Sequence, residues 1–261
     1  MGAGMGTEAL LAGLPGWAFA FALVLARSSA AVMLLPGIGE AEPPSMVRAG
    51  LAGGLAFLLL PTVLPQMPPV PPSMWQLGGM VAAELACGAM LGWLARLVTM
   101  ALPIAGSFIS LLMGLSSVLQ PDPALGGQST ALTRLFSLAV PVLVLSTGLY
   151  ALPLQALAGS YQLIPPGTWL PVDGAAESVT NAVVQGFALS LRLAAPFVLS
   201  GVLAQVGLAL LARFVPQMQI YALAAPSQIL AGLALLAALS LPLIETWQDG
   251  VQAAWRSLPG L

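Results

Sequence analysis

Long apolar runs alternate with short connections that carry the few charged residues of the chain. Residues 49–83, 135–172 and 214–244 contain no Asp, Glu, Lys or Arg. A helix needs about 20 apolar residues to cross the hydrocarbon core of a bilayer, so each run can hold a span and a turn. The strict apolar–polar alternation of a membrane β-barrel is absent from these runs. The pattern therefore predicts an all-α integral membrane protein.

Proline and glycine divide the apolar runs into about six main hydrophobic segments. The predicted segments are residues 14–35, 47–64, 75–102, 131–157, 179–214 and 220–244, with a shorter apolar piece at 104–119. Several contain prolines, which remove a backbone hydrogen bond and bend a helix. The freed backbone groups then need partners in protein or water. We therefore expect proline-broken helix hairpins. Gly88 and Gly92 have the four-residue spacing that allows close helix contacts.

Composition agrees with a membrane protein and argues against several classes of function. Of the 261 residues, 59% are hydrophobic and 6% are charged, whereas about 25% are charged in a typical soluble domain. The net charge of −2 leaves no basic patch for nucleic acid. The chain has one cysteine and no histidine, which leaves no intrachain disulfide and removes the commonest metal ligand and general base. We therefore predict no catalytic, cofactor or metal site, and a protein that is not an enzyme.

Charged residues inside the hydrophobic segments need partners. These residues are Arg27, Glu84, Arg96 and Arg192. An isolated charge in hydrocarbon costs about 2.5–3.5 kcal/mol or more, so each must face water, the interior of a helix bundle or another subunit. Glu84 and Arg96 share a helix face but lie just over three turns apart, so they cannot pair with each other. An ion or substrate path and an interhelix or intersubunit ion pair both stay open.

The order of short motifs along the chain is more specific than any single motif. An arginine at position 27 precedes a Pro-Gly break at 36–37, and the sequence ELACG lies at 84–88. MGLS at 113–116 is followed by Asp-Pro at 122–123, and RFVPQM lies at 213–218. Between the Asp-Pro pair and RFVPQM, a loop is marked by Ser160, Pro165 and Gly167. Over nearly the whole chain, this order resembles the FliR family of type III export-gate proteins and its injectisome counterpart SctT.

This resemblance implies a structural subunit of the flagellar protein export gate. Such a subunit forms, with FliP-like and FliQ-like membrane proteins, the pore through which unfolded flagellar proteins pass during flagellum assembly. FlhB-like and FlhA-like export components are further implied partners, and the implied location is the bacterial inner membrane, in the flagellar basal body. Residues 1–178 would be a FliP-like part, and residues 179–261 a FliQ-like hairpin and tail. An injectisome subunit and a small-molecule transporter are the alternatives, although the internal repeats typical of transporters are not evident.

The resemblance also implies which residues serve the pore. Residues 106–123, here named the sealing segment, would close it, with Gly106, Met113, Gly114, Leu115, Leu119, Asp122 and Pro123 as its marked positions. Methionine and leucine side chains adapt around a peptide, and glycine permits a tight, movable backbone. The turn between the last two segments, with Arg213, Pro216 and Gln217, would contact neighbouring subunits. A buried re-entrant turn without cargo contact and a plain interhelix turn are the respective alternatives.

Overall fold

Helices make up nearly all of the regular structure in a computed structural model of the chain, which describes residues 3–40, 43–114, 119–122, 127–214 and 220–261. The helices are α1 Ala3–Leu34, α2 Ser45–Val63, α3 Met74–Thr99, α4 Ala101–Leu112, α5 Ala131–Ser146, α6 Ala151–Leu163, α7 Val172–Phe214 and α8 Ile220–Trp255. A 3-10 turn, Leu64–Gln66, continues α2. Strands β1 Leu119–Asp122 and β2 Gly127–Thr130 form an antiparallel hairpin.

Five stretches of the described chain are long and apolar enough to cross a membrane. They are Gly13–Leu34, Ser45–Gln66, Met74–Leu112, Gly174–Phe214 and Pro226–Trp255. The pair α5 and α6 makes a sixth span if its two helices count as one broken segment. The predicted fold class is therefore confirmed: this is a multi-pass, all-α membrane protein.

Several segment boundaries differ from the prediction, since α1 and α7 begin at residues 3 and 172 rather than 14 and 179, and three further differences concern the later segments. The third segment and the shorter apolar piece form one long span, because the chain between α3 and α4 stays helical at Met100. The fourth segment is divided after α5, where Gly148 adopts a φ of +74°. The last segment stays helical through Trp255, beyond the predicted end at residue 244.

The short hairpin is a feature that the sequence did not predict. β1 and β2 each have four residues, and their register pairs Leu119 with Thr130 and Asp122 with Gly127. Four residues are too few to show a two-residue period, and the prolines and glycines of this region favour a loop. Pro121 lies in β1, which an edge strand tolerates because one of its sides needs no donors.

The chain divides into two compact units. Unit 1 contains Met1–Arg96, Thr147–Thr180 and Trp255–Leu261, and unit 2 contains Leu97–Ser146 and Asn181–Ala254. The predicted division into a FliP-like part and a FliQ-like hairpin rests on family resemblance, not on compactness, and stays a prediction.

In unit 1, glycines bring α3 into backbone contact with α1. A Cβ atom added at Gly92 would lie 2.7 Å from the carbonyl oxygen of Ala31, and one at Gly88 would collide with the carbonyl oxygen of Arg27. Only hydrogen fits at these positions, as in close helix packing generally. Helix α1 also packs against α2 and α6, in a core formed by Ala20, Val24, Ala56, Leu60, Val63 and Tyr161.

In unit 2, α4 packs closely on α5, and α8 packs on α7. A Cβ at Gly106 would lie 2.8 Å from a ring carbon of Phe136, and one at Gly250 would lie 2.6 Å from Leu189. The buried Trp247 of α8 donates a hydrogen bond from its ring nitrogen to the carbonyl oxygen of Thr99, at 3.4 Å. These contacts fix the helices that surround the end of α4.

Candidate functional site

A fully buried ion pair joins α1 and α3 in unit 1. The Nε atom of Arg27 lies 2.7 Å from Oε2 of Glu84, and the Nη2 atom lies 3.0 Å from Oε1. Both side chains are 0% exposed. Two parallel hydrogen bonds between a guanidinium and a carboxylate are the strongest form of this contact. The close packing of Gly88 on Arg27 brings α3 near enough for the pair to form.

The remaining polar groups of the pair are satisfied by α6 and the turn that follows it. Arg27 donates to the hydroxyl of Ser160 and to the carbonyl oxygen of Ile164, both at 3.1 Å. Its guanidinium carbon lies 4.1 Å from the ring centre of Tyr161, a cation–π contact. The backbone N–H of Gly167 donates to Glu84 at 2.7 Å. The pair therefore ties three stretches of the chain together in unit 1.

This arrangement fits a structural role of the ion pair better than a role in ion transport. An ion path needs charged groups that water can reach, whereas both charges here are sealed from solvent. Four of the five guanidinium N–H groups of Arg27 are committed to named acceptors. Each partner compensates part of the cost of removing the charge from water. The geometry holds the loop at Gly167, which has a φ of +77°, against α3.

The other predicted intramembrane charges are placed differently. Arg96 pairs with Glu40 at 2.9 Å, and their side chains are 23% and 16% exposed. Arg192 is exposed near the middle of α7, and no hydrogen bond or ion pair connects it to the described residues. A role of all four charges in subunit packing stays a prediction.

The first part of the sealing segment is helical and not the predicted loop, and its sealing role stays a prediction. Gly106 lies inside α4 and packs against α5, so it belongs to a helix and not to a loop. Met113 is buried directly after the last residue of α4, and Gly114 then turns the chain with a φ of +72°. Leu119 and Asp122 lie in β1. Leu115 and Pro123 lie outside the described residues.

Hydroxyl groups tie the second half of α4 to the start of α5. The Ser110 hydroxyl lies 2.8 Å from that of Thr130, and the Ser107 hydroxyl lies 3.0 Å from that of Thr133. Thr130 also accepts a hydrogen bond from the backbone N–H of Thr133 at 3.2 Å. A threonine in this position caps the first turn of a helix. The point where the chain leaves α4 is thus tied to the point where it enters α5.

On the other side, α7 and α8 form a socket for the end of α4. Gln228 of α8 donates from Nε2 to the carbonyl oxygen of Leu112 at 2.8 Å. The last carbonyl groups of a helix have no partner within it, so this bond satisfies one of them. A Cβ at Gly232 would lie 2.6 Å from Cγ of Met113, and one at Gly201 would lie 3.2 Å from Leu112. A cavity of about 100 Å³ adjoins these residues.

The turn between the last two helices is described only at its start. Arg213 is exposed in the last turn of α7. Pro216 and Gln217 lie outside the described residues. Contact of this turn with other subunits stays a prediction.

Sequence reasoning missed several residues that the structure brings into these sites. Tyr161 directly follows the singled-out Ser160, but nothing in the sequence places its ring beside Arg27. Glu40 lies in the connection after α1, outside the apolar segments that were searched for charges. Gln228 is a polar residue within the apolar run 214–244, and that is a signal that could have been used. In the part of the chain that the structure describes, no group of three metal-binding side chains occurs.

Comparison with known proteins gives one consistent result. The profile of the family described as "Bacterial export proteins, family 1" matches residues 18–254. The chain is similar to the flagellar biosynthetic protein FliR of Caulobacter vibrioides, with 35% identity over 228 residues, covering 87% of this chain and 91% of that protein. It is also similar to FliR of Bacillus subtilis, with 29% identity and coverages of 80% and 82%.

A relative from a different system matches as well. The Yop proteins translocation protein T of Yersinia pestis is 26% identical over 209 residues, covering 79% of this chain and 80% of that protein. The family match begins within α1, before Arg27, and extends through nearly all of α8, which contains Gln228 and Gly232. The chain therefore belongs to family 1 of the bacterial export proteins, the family of FliR and of related type III secretion export components.

Proposed function

We propose that this chain is a structural subunit of the flagellar type III protein export gate. With FliP-like and FliQ-like subunits it would form the pore through which unfolded flagellar proteins cross the bacterial inner membrane, in the basal body. The observation that carries the proposal is the base of the sealing segment. The chain leaves α4 and enters α5 at points tied by hydroxyl contacts, and Gly114 turns the backbone between them. A hairpin whose base is tied to the start of α5 can move as one unit and act as a flap.

The flap would close the pore without catalysing any reaction. Its closing side chains would be apolar, and an apolar constriction excludes ions by resisting wetting. An unfolded polypeptide would displace the flap, whose flexible apolar side chains would adapt to different side chains of the polypeptide. The energy for transport would come from other components of the apparatus, with FlhA-like and FlhB-like proteins as further partners. A corresponding role in an injectisome is the second candidate, because the Yersinia relative is a translocation protein.

Replacement of Met113 by aspartate tests the sealing role. Met113 is 3% exposed in the socket, so a carboxylate there would be driven toward water and would pull the base of the segment with it. We expect Met113→Asp to raise ion leak at least about tenfold per assembled complex, measured as dissipation of the proton gradient in cells that lack export substrates. Met113→Leu, a change that conserves volume, should stay near the unmutated level. Unchanged leak together with normal flagellar protein secretion in Met113→Asp would contradict the sealing role.

A further inference from the structure

One face of α7 carries polar side chains that have no partner among the described residues. Asn181, Gln185 and Arg192 are exposed, and no hydrogen bond or ion pair connects them to the described chain. At 3.6 residues per turn, they lie within about 40° of one another around the helix. Ala188 and Ala195 are exposed on the same face. The face is therefore a line of amide and guanidinium groups flanked by small side chains.

The rest of the exposed surface of α7 is largely apolar, so this polar face lies in surroundings where unpaired polar groups cost free energy. Gly174–Phe214, the spanning part of α7, contains 41 residues. Only 17% of its most apolar 18-residue stretch is buried. At 1.5 Å per residue this stretch is about 60 Å long, about twice the thickness of a hydrocarbon core. Val184 and Phe214 are 60% and 79% exposed and lie about 45 Å apart along the helix, so one hydrocarbon core cannot cover both and a protein partner is the alternative cover.

We propose that the face formed by Asn181, Gln185 and Arg192 binds a helix of another membrane subunit, and that this helix places an Asp or Glu carboxylate against Arg192. The identity of that subunit as an export-gate component rests on the proposed function, but the chemistry of the contact does not. An arginine that a partner helix covers needs an anion, because an unpaired buried charge is costly. Asn181 and Gln185 add hydrogen-bond donors and acceptors for the same helix, and the two alanines permit close approach.

A lipid headgroup satisfies this face less well than a protein does. Asn181 and Arg192 are eleven residues apart, which is about 16 Å along a helix. The headgroup and interfacial region on one side of a bilayer is only about 5–8 Å thick. One layer of headgroups can therefore reach Arg192 or Asn181, but not both. A partner helix that lies along α7 can reach all three residues.

Photocrosslinking in the intact complex identifies the partner. A photoreactive amino acid is placed at Ala188, on the face, and as a control at Val183, which is 49% exposed on the opposite side of α7. We expect Ala188 to crosslink to a helix that contains an Asp or Glu, and Val183 not to crosslink to that helix. Crosslinks from Ala188 only to lipid, or only to a second copy of this chain, would overturn the proposal.

Charge exchange then tests the contact itself. Arg192→Glu should reduce the co-purified partner at least tenfold, Arg192→Lys should reduce it less than threefold, and an acid-to-lysine change in the crosslinked partner should restore binding to Arg192→Glu. Arg256→Glu, at an exposed arginine after α8, is the matched control and should bind normally. Equal binding by Arg192→Glu and Arg256→Glu would overturn the proposal.

The two proposals fail separately in these experiments. If FliP-like and FliQ-like subunits co-purify but Arg192→Glu has no effect, the contact is wrong and the gate function stands. If Ala188 crosslinks to an acidic helix of an unrelated membrane protein, the contact stands and the gate function is wrong.

Discussion

At the scale of single residues, the central question is how an arginine can lie at the centre of an apolar unit. Arg27 can do so because Glu84 neutralises it and because Ser160 and the backbone after α6 take up most of its other donors. Such a pair adds little net stability compared with a well-packed apolar pair, but the removal of one partner leaves a buried charge. The pair therefore specifies one packing of α1, α3 and the Gly167 turn.

A double-mutant cycle tests this account. Arg27→Met or Glu84→Leu alone should reduce the free energy of unfolding by about 3–5 kcal/mol, which lowers the melting temperature in detergent by on the order of 10 °C. The double variant should lose clearly less free energy of unfolding than the two single variants lose together, because no charge remains buried. Arg256→Met, at an exposed position, serves as the control. If the two losses simply add, the residues are not coupled and the account is wrong.

The sequence showed that Arg27 and Glu84 need partners, but not that they need each other. They are 57 residues apart, and their pairing depends on the packing of Gly88 against α1, which only the fold reveals. Gly167 stood out as part of a motif without a role. Its N–H bond to Glu84 now supplies that role.

At the scale of elements, the end of α4 is held between two sets of contacts. Hydroxyl groups tie α4 to the start of α5, whereas a single amide bond and two glycine contacts seat it against α7 and α8. The second set is the easier to break, and the cavity beside it leaves room for a side chain to move. If the sealing segment opens by movement of its base, the base should leave the α8 side.

A disulfide between α4 and α8 tests whether that movement is needed. A Cβ at Gly232 would lie 3.1 Å from Cβ of Met113, slightly closer than in a typical disulfide, so a small shift would allow the bond. In a Cys87→Ala background, Met113→Cys with Gly232→Cys should reduce secretion at least about tenfold when oxidised, and a reducing agent should restore it. Each single cysteine variant is the control. Normal secretion with the disulfide fully formed would show that the base does not move away from α8.

Prediction from sequence worked well for the long helices and less well for the short elements. Apolar runs and proline breaks located each spanning stretch because a membrane requires long, uncharged helices. The strands Leu119–Asp122 and Gly127–Thr130 and the helical position of Gly106 were missed. Short elements depend on tertiary contacts, such as that of Gly106 with Phe136, more than on local pattern.

At the scale of the whole molecule, the described helices leave much of their apolar surface exposed. Helix α8 has 36 residues and is about 54 Å long. Only 6% of its most apolar 18-residue stretch is buried. Leu203 of α7 and Leu230 of α8 are each more than 60% exposed. Exposed apolar area of this size marks a surface for protein partners as well as for lipid. A chain with this surface is built to work as part of an assembly.

Co-purification tests the claim that the protein is an export-gate subunit most directly. This chain, tagged, is expressed together with the FliP-like and FliQ-like proteins of the same genome, and extracted in mild detergent. The account predicts one stable complex of high mass that contains all three proteins in fixed proportion, with the partner amount reduced in Arg192→Glu and normal in Arg256→Glu. A monodisperse monomer or homodimer that retains neither partner would contradict it.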